Sequence, residues 1–326
     1  MREKWVILVF VAMSVSSICY GQSNDSLLVM FWNMENFFDY IDDGEGESDR
    51  EFSSFGSRRW TKSKFNAKRN AVVKSIYWLA DKYGRLPDVI GMAEIENARV
   101  LNRLLKGTTL TKADYGIIHY DSGDRRGIDV AILYRREILS KESVSLRKVL
   151  YDGDTLDTRD ILHARLSGSS GTYDFIVNHH PSKYGGSIVS EGKRTAAVRS
   201  MLSLCDSLLK PECKASGIVV MGDFNDTPDS RPLKIIGDML VNKADSLYAA
   251  GEGTIRYEGK WELIDMFLVS PELEELTYMY IERIPFLMTY DKGHAGEKPL
   301  RTYIGPRYAG GVSDHCPILL WIFEPI

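Results

Sequence analysis

Residues 217–225 read Gly-Ile-Val-Val-Met-Gly-Asp-Phe-Asn, an apolar run that ends on a carboxylate, Asp223, and then on an amide, Asn225. The run 217–221 is short and rich in Val and Ile, which reads as a strand. The same arrangement recurs along the chain. Residues 27–32 lead into Asn33-Met-Glu35, residues 88–93 into Glu94, and residues 173–178 into His179-His180. Ser313-Asp314-His315 stands just before the apolar run 317–323, and further strand-like runs occupy 115–119, 128–134 and 263–269. Helical periodicity appears in three places only. Residues 65–82 put Ala71, Val72, Ser75, Ile76, Leu79 and Ala80 on one face before Gly84, and 97–106 and 193–209 repeat the pattern. Strands outnumber helices, so the expected architecture is two sheets covered by a few helices.

Polar groups at the ends of several buried strands are how a sandwich gathers an active site at one rim. Asn33 and Glu35 are two apart, so an extended chain would project them to the same side. One such motif alone has an ordinary structural explanation, because an Asp beside a His is commonly a turn pair and Asp-x-Asn after a strand is commonly a cap. Five in this order are not explained that way. The set is dominated by oxygen donors and contains no thiolate, which suits Mg²⁺, with Mn²⁺ as substitute, rather than Zn²⁺.

Composition bounds the reading. The 326 residues are 44% hydrophobic and 26% charged, with 27 Gly and 11 Pro, which excludes a mainly disordered, collagen-like or coiled-coil chain. The net charge of −4 advertises no global basic field for nucleic acid. That argues only weakly against a nuclease, since a carboxylate metal site is itself a block of negative charge. No repeat or linker divides the chain, so 22–326 is expected to form one catalytic domain. Asp39 to Glu51 is acid-rich, but it lacks the ligand alternation of a calcium loop and reads as a solvated excursion.

Residues 1–21 have the form of a secretory leader. Arg2 and Lys4 precede an apolar stretch, and the cleavage site falls before Gln22. The stretch falls short of the roughly 20 residues of a spanning helix, so no stable membrane insertion is expected. A lipoprotein anchored through Cys19 ranks second, because Ile18 is too large for that processing signal. The expected location is periplasmic or extracellular. Cleavage removes two cations and one anion, taking −4 to −5. It leaves Cys205, Cys213 and Cys316, which permit at most one disulfide; for Cys205, on a helix pattern, and Cys316, in an apolar strand, buried structural thiols are the better reading.

Six segments together resemble the endonuclease/exonuclease/phosphatase superfamily, whose members include DNase I-like enzymes, apurinic endonucleases, inositol polyphosphate 5-phosphatases and neutral sphingomyelinases. They are Trp32-Asn-Met-Glu-Asn36, Ala93-Glu-Ile-Glu-Asn97, Asn178-His179, Gly222-Asp-Phe-Asn225, Ile264-Asp265 and Ser313-Asp-His315. The resemblance implies a four-layer α/β/β/α sandwich of two mainly antiparallel sheets with the site at one edge. It implies Glu94 as principal metal ligand, with Asn33, Glu35 and Asp314 lining the metal site. Asp223 would deprotonate the attacking water with Asn225 beside it. His179 and His315 would grip the phosphate oxygens, and Asp265 would hold His315.

Within the family, Asn33 to Asp39, Arg126 to Tyr134 and Asn178-His-His-Pro-Ser-Lys183 look most like the bacterial extracellular nucleases. His180 departs from that group, where a larger aromatic is common, and reads as a rim or packing residue. Arg126, Arg159, Lys183 and Arg194 are candidate phosphate contacts, each equally readable as a surface cation. Arg58-Arg-Trp-Thr-Lys-Ser-Lys64, extending to Lys68-Arg69, could track a polyanion with Trp60 stacked on a base, although a Trp60 packed against the sandwich is the better reading. The expected activity is metal-assisted hydrolysis of phosphodiesters, with nucleic acid as substrate and small or lipid-linked phosphoesters as the alternative. A membrane-seeking branch would expose an apolar hairpin, for which 284–290 is a faint candidate. The sequence is silent on oligomeric state.

Overall fold

The computed structural model describes residues 26–183, 186–213 and 215–324. The leader at 1–21 lies outside them. Twelve strands form two six-stranded sheets. In chain order they are β1 Ser26–Phe37, β2 Val89–Ile95, β3 Tyr115–His119, β4 Asp129–Arg135, β5 Leu139–Arg147 and β6 Ile161–Gly168. Then come β7 Gly171–His179, β8 Gly217–Asp223, β9 Val241–Asn242, β10 Asp265–Val269, β11 Thr277–Ile281 and β12 Ile318–Phe323. The first sheet runs β11-β12-β1-β2-β4-β3 and the second β9-β10-β8-β7-β6-β5. Each has one parallel pair at its centre, β1 with β2 and β7 with β8, and antiparallel neighbours elsewhere. A parallel pair needs a crossover. Helix α1 (Lys62–Tyr83) supplies the first and α3 (Ser187–Leu208) the second, while α2 (Ala98–Lys106) follows β2.

The layering can be read along β1. Leu27, Val29 and Phe31 pack into one core with β7, β8 and α3, whereas Leu28, Met30, Trp32 and Met34 pack into a second core with α1 and α2. Alternate residues therefore face the other sheet and the helices, which accounts for a strand that is apolar on both faces. The order is α1/α2, sheet, sheet, α3: the α/β sandwich expected. The sheets meet closely at Gly91, where a Cβ would stand 2.6 Å from the Met221 sulfur.

Helix α1 starts at Thr61, whose side chain accepts from the Lys64 amide, and ends at Gly84 in the left-handed region at φ 76°. Helix α3 begins at Ser187, six residues before the periodicity indicated. Four strands carry no sequence signal strong enough to mark them: β5, β6, β9 and β11. In β5 only Leu139 is buried, because it is an edge strand with polar residues on both faces.

Cys205 and Cys316 are buried free thiols and Cys213 is half-buried and free. Trp60 is fully buried, and its Nε1 donates to the Phe38 carbonyl at 2.8 Å, so it offers no face to a base. Ile284 and Leu287 are buried and only Pro285 and Tyr290 are exposed, leaving 284–290 without an apolar exposed hairpin. No helix among the described residues is long and apolar enough to cross a membrane.

Candidate active site

One rim collects the polar strand ends, because the C-terminal ends of β1, β2, β7 and β8 lie beside the starts of the antiparallel β10 and β12. Register brings His179 opposite Asp223, and Asp223 opposite Asp265. The first sheet contributes through two irregularities. Pairing of β1 with β2 shifts between Asn33 and Phe37, and pairing of β2 with β4 shifts between Ala93 and Ile95. Glu35 (φ 46°), Asn36 (φ 55°) and Glu94 (φ 61°) all adopt left-handed backbone there, as does Asn225 (φ 52°) on the second sheet. Such backbone is costly for non-glycine residues and collects at functional sites.

This corrects the expectation that Asn33 and Glu35 share a side of an extended chain. The chain turns at Glu35, whose amide donates to Asn33 Oδ1 at 2.9 Å, and the bulge re-aims both side chains.

Asp223 sits at the centre. Asn33 Nδ2 donates to its Oδ2 at 3.0 Å, and the Asn225 amide donates to its Oδ1 at 2.8 Å. His179 Nε2 stands 3.5 Å from Asp223 Oδ2 and 3.9 Å from Glu94 Oε1, and His315 Nε2 stands 3.9 Å from Asp223 Oδ2. His315 Nδ1 makes a 2.8 Å hydrogen bond with Asp265 Oδ2. That bond fixes the ring so that Nε2 faces Asp223 and, at 3.8 Å, Asp314 Oδ1.

The electrostatics divide the two histidines. Burial disfavours the His315 imidazolium, but Asp265, Asp314 and Asp223 outweigh it and hold the group well above its usual range. Burial, then the Arg159 and Arg126 charges, keep His179 well below it and therefore neutral. Burial pushes the Asp223 carboxyl up to about 7 against the pull of His315. The site thus pairs a cationic donor with a carboxyl poised near neutrality, the separation that acid–base chemistry uses.

Glu94 Oε2 accepts from the Asn36 amide at 2.7 Å and lies 3.3 Å from Arg126, leaving Oε1 turned toward His179. Glu35 is engaged on both oxygens, by Arg301 Nε at 2.7 Å and the Thr302 amide at 2.8 Å. Arg301 also reaches Asp314 Oδ2 at 2.9 Å. The oxygens not consumed by these bonds, Glu94 Oε1 and Asp314 Oδ1, are anionic and hard, a donor type that fits a Mg²⁺-class ion. Asp223, Asp265 and His315 also have donor atoms within metal-ligand spacing of one another. His315 and Asp265 are already joined by their own hydrogen bond, so we read that trio as the acid–base unit.

The candidate phosphate contacts separate in two. Arg126 is part-exposed and bonds Asn36 Oδ1 at 2.7 Å, and Lys183 stands at the surface 3.6 Å from Glu262. Arg159 and Arg194 are buried. Arg159 donates to the carbonyls of His179 and His180 and pairs with Asp124, and Arg194 pairs with Asp226. They brace the histidine strand and the loop after β8 from behind. His180 is buried with both ring nitrogens unpartnered and packs edge-on against Phe224 at 4.9 Å, a packing position.

Sequence reasoning took Lys68 only as the extension of the basic run 58–64, and passed over Arg301 and Thr302. Lys68 is fully buried in α1 and donates to the Glu35 carbonyl at 2.6 Å and to Thr302 Oγ1 at 2.9 Å. Its signal was present, since a lysine stands between Phe65 and Val72 on the apolar stripe. Arg301 lies in a loop without periodicity and gave none. A cavity of about 610 Å³ opens from Glu35 and Asp314 and is lined by Arg58, Arg256, Lys298 and Arg301.

A sandwich of this kind, carrying paired carboxylates and an Asp-held histidine at one rim, defines a class of phosphoester hydrolases. Residues 28–324 match the sequence profile of the Endonuclease/Exonuclease/phosphatase family, and the chain belongs to that family. Solved structures agree on the fold. A family member from Bacteroides thetaiotaomicron superposes with a TM-score of 0.58 at 12% identity, covering 92% of this chain and 98% of that one. The human Nocturnin catalytic domain with bound sulfate gives 0.58 at 13%, covering 92% and 95%. D. rerio TDP2 complexed with a single-strand DNA product gives 0.56 at 14%, covering 91% and 98%. No curated protein matches by sequence.

Proposed function

We propose that this protein is an exported, divalent-metal-dependent nuclease that hydrolyses phosphodiester bonds by direct attack of water. The observation that carries the reading is the Asp223–His315–Asp265 arrangement, with a carboxyl near neutrality beside a histidine held cationic. Phosphodiester cleavage adds negative charge to a group already anionic, so donors must meet the phosphoryl oxygens while a base takes the water's proton. Asp223, oriented by Asn33 and Asn225, takes that proton. His315, held by Asp265, and His179 donate toward the phosphoryl oxygens. Glu94 and Asp314 would hold the ion, with Asn33 alongside and Glu35 behind in the Arg301 and Lys68 network. When bound, the ion supplies positive charge to the phosphate and acidifies water.

Nucleic acid is favoured over a compact phosphoester by the extent of the cavity beside the site, about 610 Å³, which four cations line together with four carboxylates, Glu35, Glu258, Asp291 and Asp314. The relative bound to a single-strand DNA product uses the same fold. Arg126 and Lys183 are the accessible members of the proposed phosphate contacts, with Arg159 and Arg194 positioning from behind. Export rests on the leader-like residues 1–21, a single catalytic domain on the extent of the family match, and the bacterial extracellular branch on the segments at 33–39, 126–134 and 178–183.

The test is product analysis with Mg²⁺ on plasmid DNA, RNA, inositol phosphates and sphingomyelin, with Asp223→Asn as control. Cleavage of DNA or RNA that the variant abolishes supports the proposal. Intact nucleic acid beside phosphate or phosphocholine release would replace it with the phosphatase or lipid-phosphodiesterase reading.

A further inference from the structure

The connection from β3 to β4 holds a second cluster of metal-ligating side chains, away from the rim chemistry. His119 ends β3, Asp129 begins β4, and Asp121 lies between them. One donor atom from each falls within 4.8 Å of the others. The Asp129 carboxylate is divided. Its Oδ1 accepts from both the amide and the hydroxyl of Ser122, at 2.9 and 2.5 Å, while Oδ2 faces His119 Nε2 at 3.7 Å, too far for a hydrogen bond. The His119 side chain is only 2% exposed, and its Nε2 has no hydrogen-bond partner. A buried ring nitrogen in that state has lost water and gained nothing; unlike the His180 ring, which packs against Phe224, it faces a carboxylate oxygen, an arrangement that a cation would complete. Burial lowers the His119 pKa, so the ring is neutral and able to ligate. Burial, with the Asp121 and Asp124 charges, pushes Asp129 up to about 7. Asp121 Oδ1, on an exposed side chain, lies 4.0 Å from His119 Nδ1.

We propose that His119, Asp121 and Asp129 bind one divalent transition-metal ion of the Zn²⁺ class, at a site separate from the catalytic centre. An imidazole with two carboxylates and a remaining place for water is a nitrogen–oxygen set that such ions take, whereas Mg²⁺ keeps to oxygen. Bonds of about 2.0–2.2 Å place tetrahedral donors about 3.4 Å apart; with Nε2 as the nitrogen ligand, His119 and Asp129 Oδ2 at 3.7 Å already stand near that spacing, and the exposed Asp121 side chain closes the site by swinging inward. The two Ser122 bonds already orient Asp129, the outer-shell support that ligating carboxylates have.

The consequence reaches the rim. The segment 120–128 carries Asp124, which pairs with Arg159 behind His179, and Arg126, which stands 3.3 Å from Glu94. An ion at its two ends pins that segment, and with it both contacts.

The experiment is equilibrium dialysis of full-length protein against Zn²⁺ with Mg²⁺ in excess, paired with thermal melting. It compares the parent with Glu94→Gln, Asp121→Ala and His119→Gln. We expect one Zn²⁺ per chain that persists in Glu94→Gln and raises Tm. Asp121→Ala should weaken it at least tenfold and abolish the Tm rise. Asp121 is exposed, so this variant keeps its fold even if His119→Gln does not. Absence of bound Zn²⁺ in the parent, or undiminished binding in Asp121→Ala, would overturn the site. Neither result depends on whether the protein cuts nucleic acid.

Discussion

Replacing Asp265 with Asn keeps the shape at His315 and removes the charge that holds it. The two groups meet at 2.8 Å between Nδ1 and Oδ2, which puts their charge centres about 4 Å apart. At an effective dielectric near 20 that pair is worth about 4 kcal/mol, or about three pKa units. The amide oxygen brought in by the substitution still accepts from Nδ1 and keeps the hydrogen-bonded part of the effect, so a fall of about two units is expected. The native pKa is raised, hence the imidazolium persists through neutrality and is lost only as pH climbs past it. In Asp265→Asn that loss comes about two units earlier. The assay is the pH dependence of kcat/KM for a phosphodiester at saturating Mg²⁺. The alkaline limb should move to lower pH by about two units, with a loss approaching about 10²-fold on the alkaline side that narrows toward pH 6. A uniform loss at every pH, with the limb unmoved, would refute the assignment of a cationic His315.

His180→Phe should make the protein resist acid. Burial holds His180 down at about 3, below the unfolded value near 6.5, so the unfolded chain binds the extra proton between those limits and stability falls as pH drops through them. Phe keeps the contact with Phe224 and should recover up to about 4 kcal/mol at pH 3–4 in urea titrations; unchanged acid sensitivity would refute this. Lys68→Met deprives the Glu35 carbonyl and Thr302 Oγ1 of their donor and should cost about 3 kcal/mol, read as a lower urea midpoint. A midpoint shift worth under about 0.5 kcal/mol would show that Lys68 does not tie α1 to the rim.

The two-sheet scaffold was legible because its central strands are buried on both faces, as β1 shows, and because the apolar stripe of α1 stops at Gly84. The edge strand β5 was not, since solvent on both faces leaves Lys141, Glu142 and Ser143 no apolar alternation to display. In the site, Asp223 could be placed because it ends an apolar run and His315 because it precedes one, whereas Asp265, inside the run 263–269, was placed only by the family resemblance. The turns at Glu35 and Glu94 could not be foreseen. Nothing in Asn-Met-Glu-Asn or Ala-Glu-Ile-Glu marks left-handed backbone, which tertiary pairing imposes there. Arg159 and Arg194 illustrate the same limit: a cation near a motif looks alike in sequence whether it meets a phosphate or the carbonyls behind a histidine.

Metal dependence tests the account most directly. Protein stripped with chelator should leave a phosphodiester uncut and regain hydrolysis when Mg²⁺ or Mn²⁺ is restored. Glu94→Gln should need far more Mg²⁺ to do so, because it replaces an anionic ligand oxygen with little change of shape. Asp223→Asn should bind the ion and remain inert, its loss falling on kcat. Full hydrolysis in excess chelator, or a Glu94→Gln enzyme with unchanged Mg²⁺ requirement, would contradict the account at its centre.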